Sequence, residues 1–205
     1  APASAQAPAA PEGPLAGKLI LIDPGHQLGN SNPRFAKQMA RKIFNGTTVK
    51  GCNTTGTAMI EVYDLDEADA NKSRLVNLAT RTLVQARFGP VISGFVVQGA
   101  VAKAVLIRAT GPALAGFGLT GTLALPKLTL YDDQRRPILE NTGWESSGIS
   151  DQIIAAAQSV GAFALTRGTA DSVILAVLPP GAYTAQVIGA DGGSGVTLVE
   201  VYELP

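Results

Sequence analysis

Cysteine is nearly absent from this chain. Cys52 is the only one in 205 residues, which excludes an internal disulfide framework. Histidine is as scarce, and His26 stands alone. No Ser-His-Asp set can therefore be assembled away from residue 26. Charged residues make up only 16%, and sixteen Lys and Arg balance sixteen Asp and Glu. That balance removes the electrostatic case for nucleic acid or an anionic membrane surface as partner. No apolar run approaches the ~20 residues of a membrane-crossing helix. A phosphate loop of the Walker type is also missing.

What is present is glycine, 23 residues of it, and a strand written twice. Residues 56–65 read Gly-Thr-Ala-Met-Ile-Glu-Val-Tyr-Asp-Leu, and residues 195–204 read Gly-Val-Thr-Leu-Val-Glu-Val-Tyr-Glu-Leu. Glu61-Val62-Tyr63 falls on Glu200-Val201-Tyr202. The copies lie about 140 residues apart, on the order of one domain, as in a unit that occurs in tandem. Each copy alternates with period 2. Ile60 and Val62 share one face, as do Val199 and Val201. A one-residue slip of either strand would turn those side chains outward.

Residues 1–16 hold Pro2, Pro8, Pro11 and Pro14 among alanines, the composition of an extended linker. This opening predicts a mature secreted terminus after signal removal; an expression boundary would read the same. Residues 17–56 differ in character. Lys18-Leu19-Ile20-Leu21-Ile22 is a short apolar run that predicts a strand buried on both faces. It ends in the polar turn Asp23-Pro24-Gly25-His26, where ligand-binding residues gather in open α/β sheets. From residue 57 the period is that of strands. Segments 74–80, 91–97, 103–109, 127–131, 137–140, 172–178, 182–188 and 196–204 predict short strands separated by turns. Gly94, inside one of them, predicts a bulge or a close approach. Gly111–Gly118 predicts one helical turn, with Pro112 near its start. Residues 151–157 predict a helix capped by Ser150. The expected fold is mainly β. It is a β-sandwich of about nine strands with one or two short helices over 57–205, preceded by a truncated α/β segment.

Two resemblances attach to these residues. Ile22-Asp23-Pro24-Gly25-His26-Gln27-Leu28-Gly29-Asn30 and Val49-Lys50-Gly51-Cys52-Asn53-Thr54-Thr55-Gly56-Thr57-Ala58 resemble the start of zinc-dependent N-acetylmuramoyl-L-alanine amidases of actinobacterial type. The resemblance implies peptidoglycan as substrate and zinc as cofactor, and His26 matches the family's first zinc ligand. It stops at Ala58, before the family's Glu ligand, second His and late catalytic Glu. With one His where the family uses two, weak or no zinc binding is expected. Glu61 and Glu67 lie near the expected spacing but outside the family's local motif. The second resemblance covers residues 57–205 and rests on four stretches. They are Ser73-Arg74-Leu75-Val76-Asn77-Leu78-Ala79-Thr80-Arg81, Val105-Leu106-Ile107-Arg108-Ala109-Thr110-Gly111-Pro112, Leu178-Pro179-Pro180-Gly181-Ala182-Tyr183-Thr184 and the doubled strand. These are similar to a β domain found in tandem toward the C-termini of large secreted proteins of Verrucomicrobia. The Pro-Pro-Gly-Ala-Tyr-Thr hairpin is also similar to β-sandwich domains appended to secreted peptidases. No catalytic role comes with this resemblance. The two meet at residues 54–58, as in a recombined, mis-assembled or designed chimera.

Each polar feature has a structural and a functional reading. His26 is a zinc ligand by resemblance or a turn histidine without metal. Cys52 reads as a small loop residue. Asp64, Asp66, Glu67 and Asp69 read as a solvated turn or a Ca²⁺ loop, without the Gly and terminal Glu of an EF-hand. Asn45, Asn53 and Asn71 match the glycosylation pattern and read as turn chemistry. Arg74, Arg81 and Arg108 are candidates to pair with Asp64, Glu61 or Glu200 across a sheet. Trp144 is a loop anchor on the core or a carbohydrate-stacking ring. The sequence therefore points to a non-catalytic, secreted or envelope-bound bacterial β-sandwich module. Its expected work is cell-surface attachment or spacing, with cell wall or surface polysaccharide as partner. The alternative is a zinc amidase hydrolysing peptidoglycan.

Overall fold

The structure, a computed structural model, describes residues 21–24, 60–63, 76–86 and 89–205, the first two segments as backbone. The linker 1–16, His26, Cys52, Asp64–Asp69 and the expected boundary at 56/57 lie outside these residues. Contacts divide the chain into two units, Ala1–Leu75 and Val76–Pro205.

In the first unit, β1 (Leu21–Pro24) pairs antiparallel with β2 (Ile60–Tyr63), Leu21 opposite Tyr63 and Pro24 opposite Ile60. Of the apolar run only Leu21 and Ile22 are described; they open β1, which continues through Asp23 and Pro24, the first two residues of the expected turn. Its partner is the first copy of the doubled strand in a two-stranded sheet, not an edge of the sandwich. The two copies therefore do not serve one sheet. The second copy lies inside a nine-residue strand rich in Val, Leu and Thr, long enough to pair on both sides. The first copy is described over Ile60–Tyr63, where it pairs with β1.

The second unit holds β3 (Asn77–Val84), β4 (Val91–Val97), β5 (Lys103–Thr110), β6 (Pro126–Tyr131), β7 (Pro137–Thr142), β8 (Ser172–Leu178), β9 (Gly181–Gly189) and β10 (Gly195–Glu203). They form two four-stranded antiparallel sheets, ordered β3-β10-β5-β8 and β4-β9-β6-β7. Alternation sends one set of side chains inward from each strand. Val105, Ile107 and Ala109 of β5 and Val199 and Val201 of β10 meet Leu128, Leu130, Ala185 and Val187 of the opposite sheet in one core. This is the β-sandwich the turn spacing predicts, with eight strands. The strand expected at 74–80 is shifted, since its alternation continues through Thr82 and Val84.

The Pro179-Pro180 segment is not a hairpin. β8 pairs with β5, while β9 pairs with β4 and β6, so the prolines carry the chain from one sheet to the other. Proline offers no amide hydrogen to continue a ladder. The Tyr183 hydroxyl donates to the Pro179 carbonyl at 2.8 Å and fastens this corner. The expected hairpin of β6 and β7 does form, with a register shift between Leu130 and Tyr131.

A third layer lies on the first sheet. Helix α1 (Ser150–Ser159) and the 3-10 turn Trp144–Ser147 pack Ile153, Ala156, Ala157 and Trp144 against Leu106 of β5 and Val173 of β8. Hence β5 is buried on both faces over Val105–Thr110, which accounts for its continuous apolar run. Ser150 is the first helical residue rather than the cap. Ile149 holds the cap position, and no side chain bonds there. The other predicted turn is a 3-10 helix, Pro112–Phe117. A Cβ on Gly111, just before it, would collide with the Leu123 carbonyl, so only glycine fits there.

Candidate functional site

The most unusual chemistry among the described residues lies between the first sheet and α1. Cross-strand register places Arg108 of β5 directly opposite Glu200 of β10. On its other side Arg108 is opposite Val173 of β8, so Asp171 is its diagonal neighbour on the same face. Arg108 Nε approaches Glu200 Oε2 to 3.2 Å, and the two side chains are 1% and 5% exposed. Arg108 Nη1 donates to the Phe163 carbonyl at 2.9 Å, and the guanidinium lies 4.2 Å from the centroid of the Phe163 ring. The Tyr202 hydroxyl donates to Glu200 Oε1 at 2.7 Å. Asp171 Oδ1 accepts from the amides of Gly111 and Ala113 at 2.8 and 3.2 Å, tying the 3-10 turn to the start of β8.

The electrostatics suit a fixed clamp better than a reactive site. Burial pushes the Arg108 guanidinium below its ordinary value, and the charges of Glu200, Tyr202 and Asp171 oppose that shift. A guanidinium does not give up its proton in a protein, so it can hold but not shuttle. Burial, then the hydrogen bond and charge of Glu200, push the Tyr202 phenol up to about 12. Tyr202 is thus a neutral donor across the physiological range. The Arg108–Glu200 approach is an ion pair without hydrogen-bond alignment. Arg108 Nη2, Asp171 Oδ2 and Trp144 Nε1 have no hydrogen-bond partner among the described residues.

Of the candidate cross-strand pairs, Arg108–Glu200 forms. Arg81 on β3 is exposed and opposite Leu198. Glu61 is opposite Asp23 in the first unit. Trp144 is fully buried beneath α1 and cannot stack on a sugar, so the anchor reading holds. Its backbone amide donates to the Asp171 carbonyl at 2.7 Å. Arg167 lies over its ring at 5.9 Å and bridges Glu145 and Asp151 at 3.1 and 2.8 Å on the surface. His26 and Glu67 lie outside the described residues. Among the described residues, no three His, Cys, Asp or Glu side chains converge as metal ligands, and no helix is long and apolar enough to cross a membrane. Asp171 was not legible as part of this cluster. Its only signal is a single carboxylate immediately before an apolar strand.

No known domain family matches the sequence, and no curated protein matches it. Among solved structures, the chain is similar to the pre-peptidase C-terminal domain of collagenase from Bacillus anthracis. The two share 14% identity at a TM-score of 0.38, over 62% of this chain and 89% of that one.

Proposed function

We propose that this chain is a non-catalytic, secreted or envelope-bound bacterial module, with its β-sandwich serving in attachment to the cell surface or as a spacer. The observation that supports this reading is the use made of the buried charge. Arg108 and Glu200 are engaged with each other, with the Phe163 carbonyl and with Tyr202. They tie the segment that follows α1 to the first sheet instead of facing a substrate. The sequence likeness of residues 57–205 to tandem β domains of secreted proteins agrees with this use. Cell wall or surface polysaccharide is the partner that fits the likeness.

A second reading, a zinc amidase acting on peptidoglycan, is favoured by Asp23-Pro24-Gly25-His26, whose first two residues end β1. The donor set does not fit that family's zinc site, because His26 is the sole histidine of the chain and a hydrolytic zinc takes about three protein ligands. One experiment separates the readings: the full chain is mixed with purified bacterial cell walls, and both sedimentation and turbidity are followed. Co-sedimentation at constant turbidity indicates attachment. A soluble protein at constant turbidity indicates a spacer. Falling turbidity overturns the non-catalytic reading in favour of the amidase.

A further inference from the structure

Four strands end the two sheets, and three of those edges are blunted. β3 carries Arg81 at its middle, exposed. β7 opens on Pro137, carries Glu140 and meets β6 through a register shift. On β8, the amide of Val173 is taken by the side chain of Asn141 at 2.9 Å. Charges, prolines, bulges and covering groups are the devices by which sheet edges avoid unwanted pairing. Among the described residues β4 has none of them. Its seven residues, Val-Ile-Ser-Gly-Phe-Val-Val, carry no charge and no proline. They pair with β9 in unbroken register from Val91 to Val97. Among the described residues β4 pairs on that side alone.

Two further observations say what fits this edge. Read about Gly94, Val91 answers Val97 and, on the outer face, Ile92 answers Val96, while on the inner face Ser93 stands where Phe95 does. An antiparallel pair of two such strands about a two-fold axis at Gly94 therefore sets Ile92 against Val96 twice, with no like charges opposed. Gly94 itself is not required by its own fold. Its φ lies outside the left-handed region, no bulge occurs there, and a Cβ would meet nothing nearer than the Tyr183 carbonyl at 3.9 Å. A strand-interior glycine weakens its own strand and often marks a site where a ligand or another backbone approaches closely. Ile92 and Val96 flank it on the outer face, 62% and 63% exposed.

The geometry points to β4 as a self-association edge. Two copies of this chain pair antiparallel along residues 91–97, two-fold symmetric about Gly94, and join their second sheets into one eight-stranded sheet. The occupant is a second copy because the edge is complementary to itself in charge, in side-chain pattern and in hydrogen-bonding direction. The contact is small, in the class of weak and transient interfaces below about 1,200 Å². The inference stands apart from whichever surface the module attaches to.

The test is sedimentation of the full chain up to about 100 μM, a range suited to so small an interface. The wild type is expected to dimerise with rising concentration. The double variant Ile92→Lys/Val96→Lys opposes like charges across the axis and is expected to weaken dimerisation more than tenfold. Ile92→Lys/Val96→Glu opposes unlike charges at both positions and is expected to restore it. Both variants alter only exposed positions, and matched circular-dichroism melts confirm that each is folded. Gly94→Cys in a Cys52→Ser background is expected to cross-link into a disulfide dimer, because facing Cα atoms about 4.5–5.5 Å apart suit that bond. A wild type that stays monomeric overturns the inference. So does a dimer indifferent to the double-lysine change, or one that the Lys/Glu variant fails to restore.

Discussion

Changing Glu200 to Gln keeps the shape of the side chain and an acceptor for the Tyr202 hydroxyl, but leaves Arg108 facing no charge from β10. At 3.2 Å and an effective dielectric of about 20, the pair attracts by about 5 kcal/mol. Both groups are almost wholly buried, so solvent screens little of this. Removing one partner of a buried pair costs about 3–5 kcal/mol, because the other is left uncompensated. The carboxylate of Asp171 also acts on Arg108 and places the expected loss near 3 kcal/mol. For a domain of about 100–150 residues, that lowers the melting temperature by about 10 °C. The double replacement Arg108→Met/Glu200→Leu removes both charges together. It should recover most of the loss, since apolar residues of similar volume commonly replace buried ion pairs at little cost. Calorimetric melts of the wild type, the single and the double variant decide it. A loss below about 1 kcal/mol for Glu200→Gln, or a double variant no better than the single one, would refute the clamp.

Three further outcomes follow from the same structure. The Tyr202 phenol, raised from 10.0 to about 12 in the folded state, contributes stability that is complete below pH 10 and lost as pH rises toward about 12. A spectrophotometric titration showing every tyrosine ionising near 10 would contradict this. Gly111→Ala should destabilise residues 76–205 by several kcal/mol, because the added carbon meets the Leu123 backbone and not a movable side chain. A melt within about 0.5 kcal/mol of wild type would show that the backbone yields. Gel-filtered protein loaded with zinc should retain far less than one ion per chain, with His26→Ala unchanged; stoichiometric zinc lost in that variant would reverse the account of residue 26.

The strands were legible because their alternation is local. Val105–Ala109 and Val199–Val201 carry the period that the core uses. The Arg108–Glu200 pair was legible only as one of several candidates, since register rather than sequence spacing selects the partner. The helix layer was harder to read. Ile153, Ala156 and Ala157 show a helix with an apolar side, but nothing local says which sheet face it covers. The turn prolines misled because Pro179-Pro180 stops a ladder equally well in a hairpin and in a sheet crossover. The doubled strand puts one copy in each unit, the first opposite β1 and the second between β3 and β5, and the shared triplet alone does not select a strand's partner.

Residues 76–205 should form a self-contained sandwich whose firmest part is the clamped β5–β10 pair. Native-state hydrogen exchange on a fragment of those residues tests it most directly. The expected result is a cooperatively folded fragment in which the amides of Val105–Ala109 and Leu198–Val201 exchange only through global unfolding, while β4, at the end of its sheet, exchanges by local opening. A fragment that fails to fold, or one whose β5 amides exchange as fast as those of Val91–Val97, would contradict it.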